Sequence, residues 1–306
     1  MLSVTTENVD LLAEVAVGVN PGTVAIAPNN DDVFVTSQSE DALYTFSIAE
    51  ALEKGEDVRF AGVENEPYGV IASPDGSRIY VAESGWGTVA VLNAESLELI
   101  ERIEIGGNPR GLAITANGNR LFVTDFFTGV LTEIETATFE IAKRIELSSE
   151  SNLSLSVLLG RSDNFAFVPH TLSDVGNMEL TFETTVFPVV SIVDLNRGAE
   201  LSNFRLELDV LDKPVSLPID AVLGLNQILY VLNASSNDIS VINLATFERE
   251  GHIPTGEHPR GIAISPDGTR LYVNNTLDGT ISVIDAQSFA RLAAVDITED
   301  PLDEEI

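Results

Sequence analysis

The feature that most constrains this chain is a short unit that returns roughly every 42 residues. Its clearest copy runs from His258 to Asp285. Gly261–Ser265 alternates apolar residues, Pro266-Asp267-Gly268 makes a turn, and Arg270–Asn274 reads as a second strand. Leu277-Asp278-Gly279 turns again into a third strand, Thr280–Asp285. Val, Ile, Tyr and Thr fill the strands because branched and aromatic side chains suit a pleated surface. Pro, Asp, Asn and Gly fill the turns, where fixed or positive φ and side-chain bonds to the backbone are needed.

Further copies open at Pro21, Pro67, Pro109 and Pro218, and a degenerate one spans Leu153–His170 before resuming at Val189–Asp194. An insertion from about Ser173 to Phe187 interrupts that fourth copy. Repeats of this length with several strands each predict an all-β propeller of four-stranded antiparallel blades in one domain, residues 1–297. Helical periodicity is nearly absent, with Ile48–Lys54 worth one or two turns. Leu2–Val17 aligns with Ile281–Asp296, so it reads as the third and fourth strands of another blade. The expectation is therefore seven blades: six full repeats plus a half-blade at the amino end. Its partner strands would lie upstream of Met1 or beyond Ile306. Residues 298–306 read as an acidic tail or linker.

Among 306 residues there are 16 basic and 48 acidic ones, a net charge of −32. Such a surface repels phosphate backbones, which argues against nucleic acid as a partner. Basic protein surfaces, cations or a saline medium suit it better. The chain has no cysteine. Disulfides, thiolate metal sites, a nucleophilic thiol and covalent haem attachment are thereby excluded on these residues. No apolar run approaches membrane-spanning length, and no signal peptide precedes Leu2.

Propeller geometry then sorts the candidate site residues. The residue after each opening Pro and the residue ending each second strand share one face, at the mouth of the central channel. The second strands end at Ser37, Glu83, Asp125, His170, Asn233 and Asn275, all polar. Ser, Asn and Asp at such places satisfy turn amides. Glu83, Asp125 and His170 have two readings: binding a divalent cation such as calcium or moving a proton, or hydrogen bonding within the fold. Tyr68, Arg110 and Arg260 follow opening prolines. The arginines suit a bidentate clamp on carboxylate or phosphate, or bridges to neighbouring acids. Trp86 tops a loop on the same face, as a binding aromatic or as a loop anchor. The insertion leaves that face after His170, and is either a docking loop or a hairpin covering its own blade.

The motif PxG-[IL]-A-x-[ST]-PDG-x-R-[IL]-[YF]-V, followed by a strand of the kind GTISVID, resembles the YVTN family of β-propeller repeats. Pro67–Asn93, Pro109–Glu135 and Pro259–Asp285 carry it best. The stretch FVPHTLSDVGNMELTFETTVFPVVSIVDL and the ending VDITEDPLDEEI resemble the propeller part of YVTN proteins fused to c-type cytochrome, di-haem-peroxidase-like modules. The resemblance implies a non-catalytic binding or docking module in a larger periplasmic or extracellular redox protein. Any haem would then lie on a neighbouring domain, since no CxxCH motif is present. The alternative is a propeller enzyme, lactonase- or lyase-like, with Glu83, Asp125 and His170 at the channel mouth.

Overall fold

The computed structural model describes residues 2–4, 9–54, 57–174, 186–208 and 214–298. Each repeat folds as an antiparallel meander. Blade one consists of β3 (Pro21–Ile26), β4 (Asp32–Ser37), β5 (Ala42–Ser47) and β6 (Arg59–Gly62), with the short helix Ile48–Lys54 between its last two strands. Blade two is β7 (Pro67–Ala72), β8 (Arg78–Glu83), β9 (Thr88–Asn93) and β10 (Leu99–Glu104). Blade three is β11 (Pro109–Ile114), β12 (Arg120–Asp125), β13 (Val130–Glu135) and β14 (Glu140–Glu146).

The fourth blade is built on two long strands, β17 (Phe165–Ser173) and β18 (Val186–Asp194), paired along their whole length. Its inner and outer positions are broken. Short pieces β15 (Ser151–Asn152) and β16 (Leu158–Leu159) lie on β17, and β19 (Ala199–Glu200) and β20 (Leu206–Glu207) lie on β18. The inserted residues 175–185, including Leu180 and Phe182, fall outside the described residues, as does the acidic tail from 299 onward. Blade five is β21 (Pro218–Leu223), β22 (Ile228–Asn233), β23 (Asp238–Asn243) and β24 (Glu248–Pro254). Blade six is β25 (Pro259–Ile264), β26 (Arg270–Asn275), β27 (Thr280–Asp285) and β28 (Arg291–Asp296).

This is a β-propeller architecture with six blades, and the expected seven are not found among the described residues. The supposed half-blade is a separate two-stranded hairpin, β1 (Leu2–Val4) with β2 (Val9–Leu11). Its apolar pattern matches a blade's outer strands. Among the described residues, no inner strand pairs with it.

Contacts divide the chain into two compact units. The first holds blades one to three. Phe34, Leu43, Ile79, Val81 and Leu92 form its core between blades one and two. Tyr80, Val91, Leu121, Val123 and Ile134 do so between blades two and three. The second unit holds blades four to six, with Val190, Ile192, Leu229 and Val231 in one core and Tyr230, Leu232, Leu271 and Val273 in the next. The second strands are largely buried because each has a strand on either side and blades of the same unit pack against them. Withdrawing one such side chain from water contributes about 2–3 kcal/mol.

The turns form as their residues dictate. Gly76 and Gly268 take φ of +73° and +68°, which favours glycine. Asp75 caps its turn by accepting from Ser73 Oγ at 2.6 Å and the Ser77 amide at 3.0 Å. Asp267 does the same for Ser265 and Thr269. These bonds hold both carboxyls down to about 2.

Candidate binding face on blades two and three

The polar residues that end the second strands turn toward their own blades. Glu83 is fully buried. Arg102, across on β10, grips it with Nε at 2.8 Å and Nη2 at 3.0 Å, while Thr88 Oγ1 and the Glu64 amide donate at 2.6 and 2.8 Å. Asp125 accepts the amides of Phe127 and Thr128 and the Thr128 hydroxyl on Oδ1, and the Asn108 amide on Oδ2 at 2.6 Å. Gly107 is required beside it, because an added Cβ would lie 1.8 Å from that Oδ2. Both carboxylates are thus occupied by the fold.

His170 sits fully buried in blade four. Its Nε2 lies 2.8 Å from Ser191 Oγ, and Ser191 donates its single hydroxyl hydrogen to Glu200 Oε1. The ring therefore donates to Ser191 through Nε2, a tautomer assigned from this network. Arg205 closes the chain on Glu200 at 2.8 and 2.7 Å. Burial pushes the imidazole down to about 4, so it is neutral near pH 7. Ser37, Asn233 and Asn275 are buried in the same manner. Asn233 donates to Asp238 and Ser240 at 2.9 Å, with His252 Nδ1 3.6 Å from Asp238. Asn275 donates to Thr280 and Ser282.

Glu83 and Asp125 belong to the first unit and His170 to the second. Among the described residues, no three His, Asp or Glu side chains are grouped to hold a metal ion.

The residues after the opening prolines behave differently. Tyr68 and Arg110 come together on blades two and three. The Arg110 guanidinium lies 4.5 Å over the Tyr68 ring and 5.3 Å from that of Phe126. Its Nε donates to Asn108 Oδ1 at 2.8 Å. Burial lowers its pKa from the ordinary arginine value, opposed by the nearby Tyr68 and Glu66. Two bonds lock the blades beneath this stack: Ser84 Oγ to the Pro109 carbonyl at 2.6 Å, and Asn108 Nδ2 to the Ser84 carbonyl at 2.9 Å. The loops that follow expose Trp86 (59%) and Phe127 (65%), with Phe127 packed edge-on against Phe126 at 4.9 Å. Arg260, in the second unit, is exposed.

Two residues of consequence escaped the sequence reading. Phe126 was readable only as the first of two aromatics after Asp125. Asp220 had a clearer sign: it stands where the repeat has glycine, as Pro218-Ile219-Asp220 against Pro67-Tyr68-Gly69. That third position faces the following blade. Thr23 there donates to the Tyr68 carbonyl at 2.6 Å, and a Cβ on Gly69 would lie 2.1 Å from the Arg110 carbonyl oxygen. Asp220 likewise reaches blade six, accepting the Ile262 amide at 3.3 Å. Burial pushes its carboxyl up to about 6, against the bonds from Ile262, Ala221 and Ser156.

The fourth blade's broken outer strand leaves an apolar groove of about 280 Å³ beside blade five, lined by Phe165, Phe167, Phe204 and Phe247. Phe204 and Phe247 meet at 5.6 Å. No helix among the described residues is long and apolar enough to cross a membrane.

The fold is a β-propeller, and blades two and three carry aromatic rings stacked about one arginine. No family model and no curated protein sequence matches the chain. Among solved structures it is similar to Kuenenia stuttgartiensis hydrazine synthase, with a TM-score of 0.81 and 21% identity over 89% of this chain and 85% of that one. At this identity the likeness shows the fold.

Proposed function

We propose that this chain is a non-catalytic propeller module that docks a protein partner within a larger extracytoplasmic redox protein. The observation that carries it is the cluster on blades two and three. Tyr68 and Arg110 on strand starts, with Phe126, Phe127 and Trp86 on the adjoining loops, have the composition of a binding hot spot. Trp86 and Phe127 stand exposed around a half-buried Arg110 that is already held in one orientation. Such a surface associates without paying for loop ordering.

The redox setting is supported by the motif resemblance to YVTN repeats of cytochrome-fused propellers. The fold likeness to hydrazine synthase is in keeping with a propeller that serves an enzyme. Haem chemistry would belong to the partner, since this chain has no cysteine for covalent attachment. The acidic surface would speed encounter with a basic partner face.

The test is to isolate the tagged protein from cells that make it, beside a Trp86→Ala/Phe127→Ala form. The expected result is recovery from the extracytoplasmic fraction with a haem-staining partner or domain, and loss of a separate partner from the double variant. Recovery from the cytoplasm, alone and identical in both forms, would overturn the proposal.

A further inference from the structure

We infer that Tyr68, Arg110 and Phe126 form a subsite for a monocarboxylate borne on an apolar group, at the centre of the docking face and resting on that reading of it. Among the described residues Arg110 bonds within the fold through Nε alone, whereas Arg78, Arg102 and Arg144 use a terminal nitrogen. Arg102, Arg120 and Arg205 each hold a glutamate, at 2.8, 2.7 and 2.7 Å. Arg78 and Arg144 donate to the carbonyls of Thr136 and Ile105. Arg110 has no carboxylate in ion-pair reach among the described residues, in a chain with 48 acidic side chains.

A half-buried guanidinium that feels Glu66 only at a distance and touches no carboxylate is unfavourable, and such groups gather where a ligand supplies the contacting partner. Two ring faces and the Asn108 bond fix its plane. Nε is occupied, so the two terminal nitrogens are left to donate side by side, which matches the two oxygens of a carboxylate. The net charge of −32 repels a phosphate dianion more strongly than a singly charged acid. Phe127 and Trp86, exposed on the adjoining loops, supply the apolar contact for the rest of the ligand.

That chemistry has two sources: a small organic acid, or the carboxyl terminus of a peptide with an apolar last residue. Calorimetric titration with 3-phenylpropionate, its amide, and a pentapeptide ending in phenylalanine as acid or amide separates them. Trp86 is the chain's single tryptophan, so its emission reports whether binding occurs at this face. The expected result is saturable binding of at least one free acid, at least tenfold weaker binding of its amide, and a change in Trp86 emission. The tighter of the two acids assigns the source. Arg110→Gln abolishes the acid preference, and Arg110→Lys weakens it by losing the planar stack, while both keep the wild-type melting curve.

Equal binding of acid and amide, no binding of either acid, unchanged affinity in Arg110→Gln, or tighter binding of inorganic phosphate would overturn the inference. Partner capture that survives Arg110→Gln but not the Trp86/Phe127 double variant would remove the carboxylate subsite and leave the docking face standing.

Discussion

Asp220 Oδ2 accepts the backbone amide of Ile262 at 3.3 Å, tying the inner strand of one blade to that of the next. The carboxyl is raised to about 6 by burial, against 3.8 when unperturbed. A proton is therefore bound more tightly in the folded state, and folding loses free energy as pH rises from about 4 to about 6. Asp220→Asn removes this dependence. Chemical denaturation of both proteins from pH 3.5 to 7 should show the wild type losing on the order of 3 kcal/mol relative to the variant across that window. Parallel curves would show that the carboxyl is ordinary.

His170 acts in the opposite direction on the pH axis. Its pKa falls from 6.5 to about 4 because the neutral ring is buried. Its contribution is complete above pH 6.5 and is lost as pH falls toward 4. His170→Gln should flatten this part of the acid limb in melting curves. An imidazole resonance assigned to His170 by its disappearance in His170→Gln, and titrating near 6.5, would contradict the buried assignment.

Removing Glu83 takes away a buried carboxylate that gathers several donors. Glu83→Ala leaves the Thr88 hydroxyl and the Glu64 amide without their acceptor, and leaves the part-buried Arg102 with Glu64 alone at 3.5 Å. The expected loss is about 2–3 kcal/mol, measured by urea unfolding of the whole chain. A loss under about 1 kcal/mol would mean that the pair is not formed.

Gly69→Ala should damage the binding face without touching a side chain in it. The new Cβ would meet the Arg110 carbonyl oxygen at 2.1 Å, forcing blades two and three apart. Hydrogen exchange at Tyr68 and Arg110 should quicken, and carboxylate binding should weaken more than tenfold. Unchanged exchange would show that the approach is looser than described.

The strands and turns were legible because their causes are local: alternation, Asp-Gly turns and opening prolines. The blade count was not, because Leu2–Val17 looks like a blade's outer half and pairing depends on distant strands. The polar strand ends were legible as polar, but their direction was not. Glu83 finds Arg102 and His170 reaches Glu200 through Ser191, on neighbouring strands. Tyr68 and Arg110 were legible as sharing a face, whereas the absence of a direct ion pair at Arg110 depends on how distant strands and loops pack. Asp220 was open to reading as the one acid in a glycine position.

The five buried strand-end residues also bear on how such a chain assembles. Its blades are near-copies with similar apolar faces, and repeat chains are prone to mispairing. Yet four of the blades carry a distinct lock: Glu83 with Thr88 and Arg102, His170 with Ser191 and Glu200, Asn233 with Asp238 and Ser240, Asn275 with Ser282. An outer strand seated on the wrong blade would bury Arg102 against Asn275, or Glu200 against Asp238. Unmatched polar groups of that kind cost more than the shared apolar contacts can offset. The locks thus act as addresses, directing each strand to its own sheet.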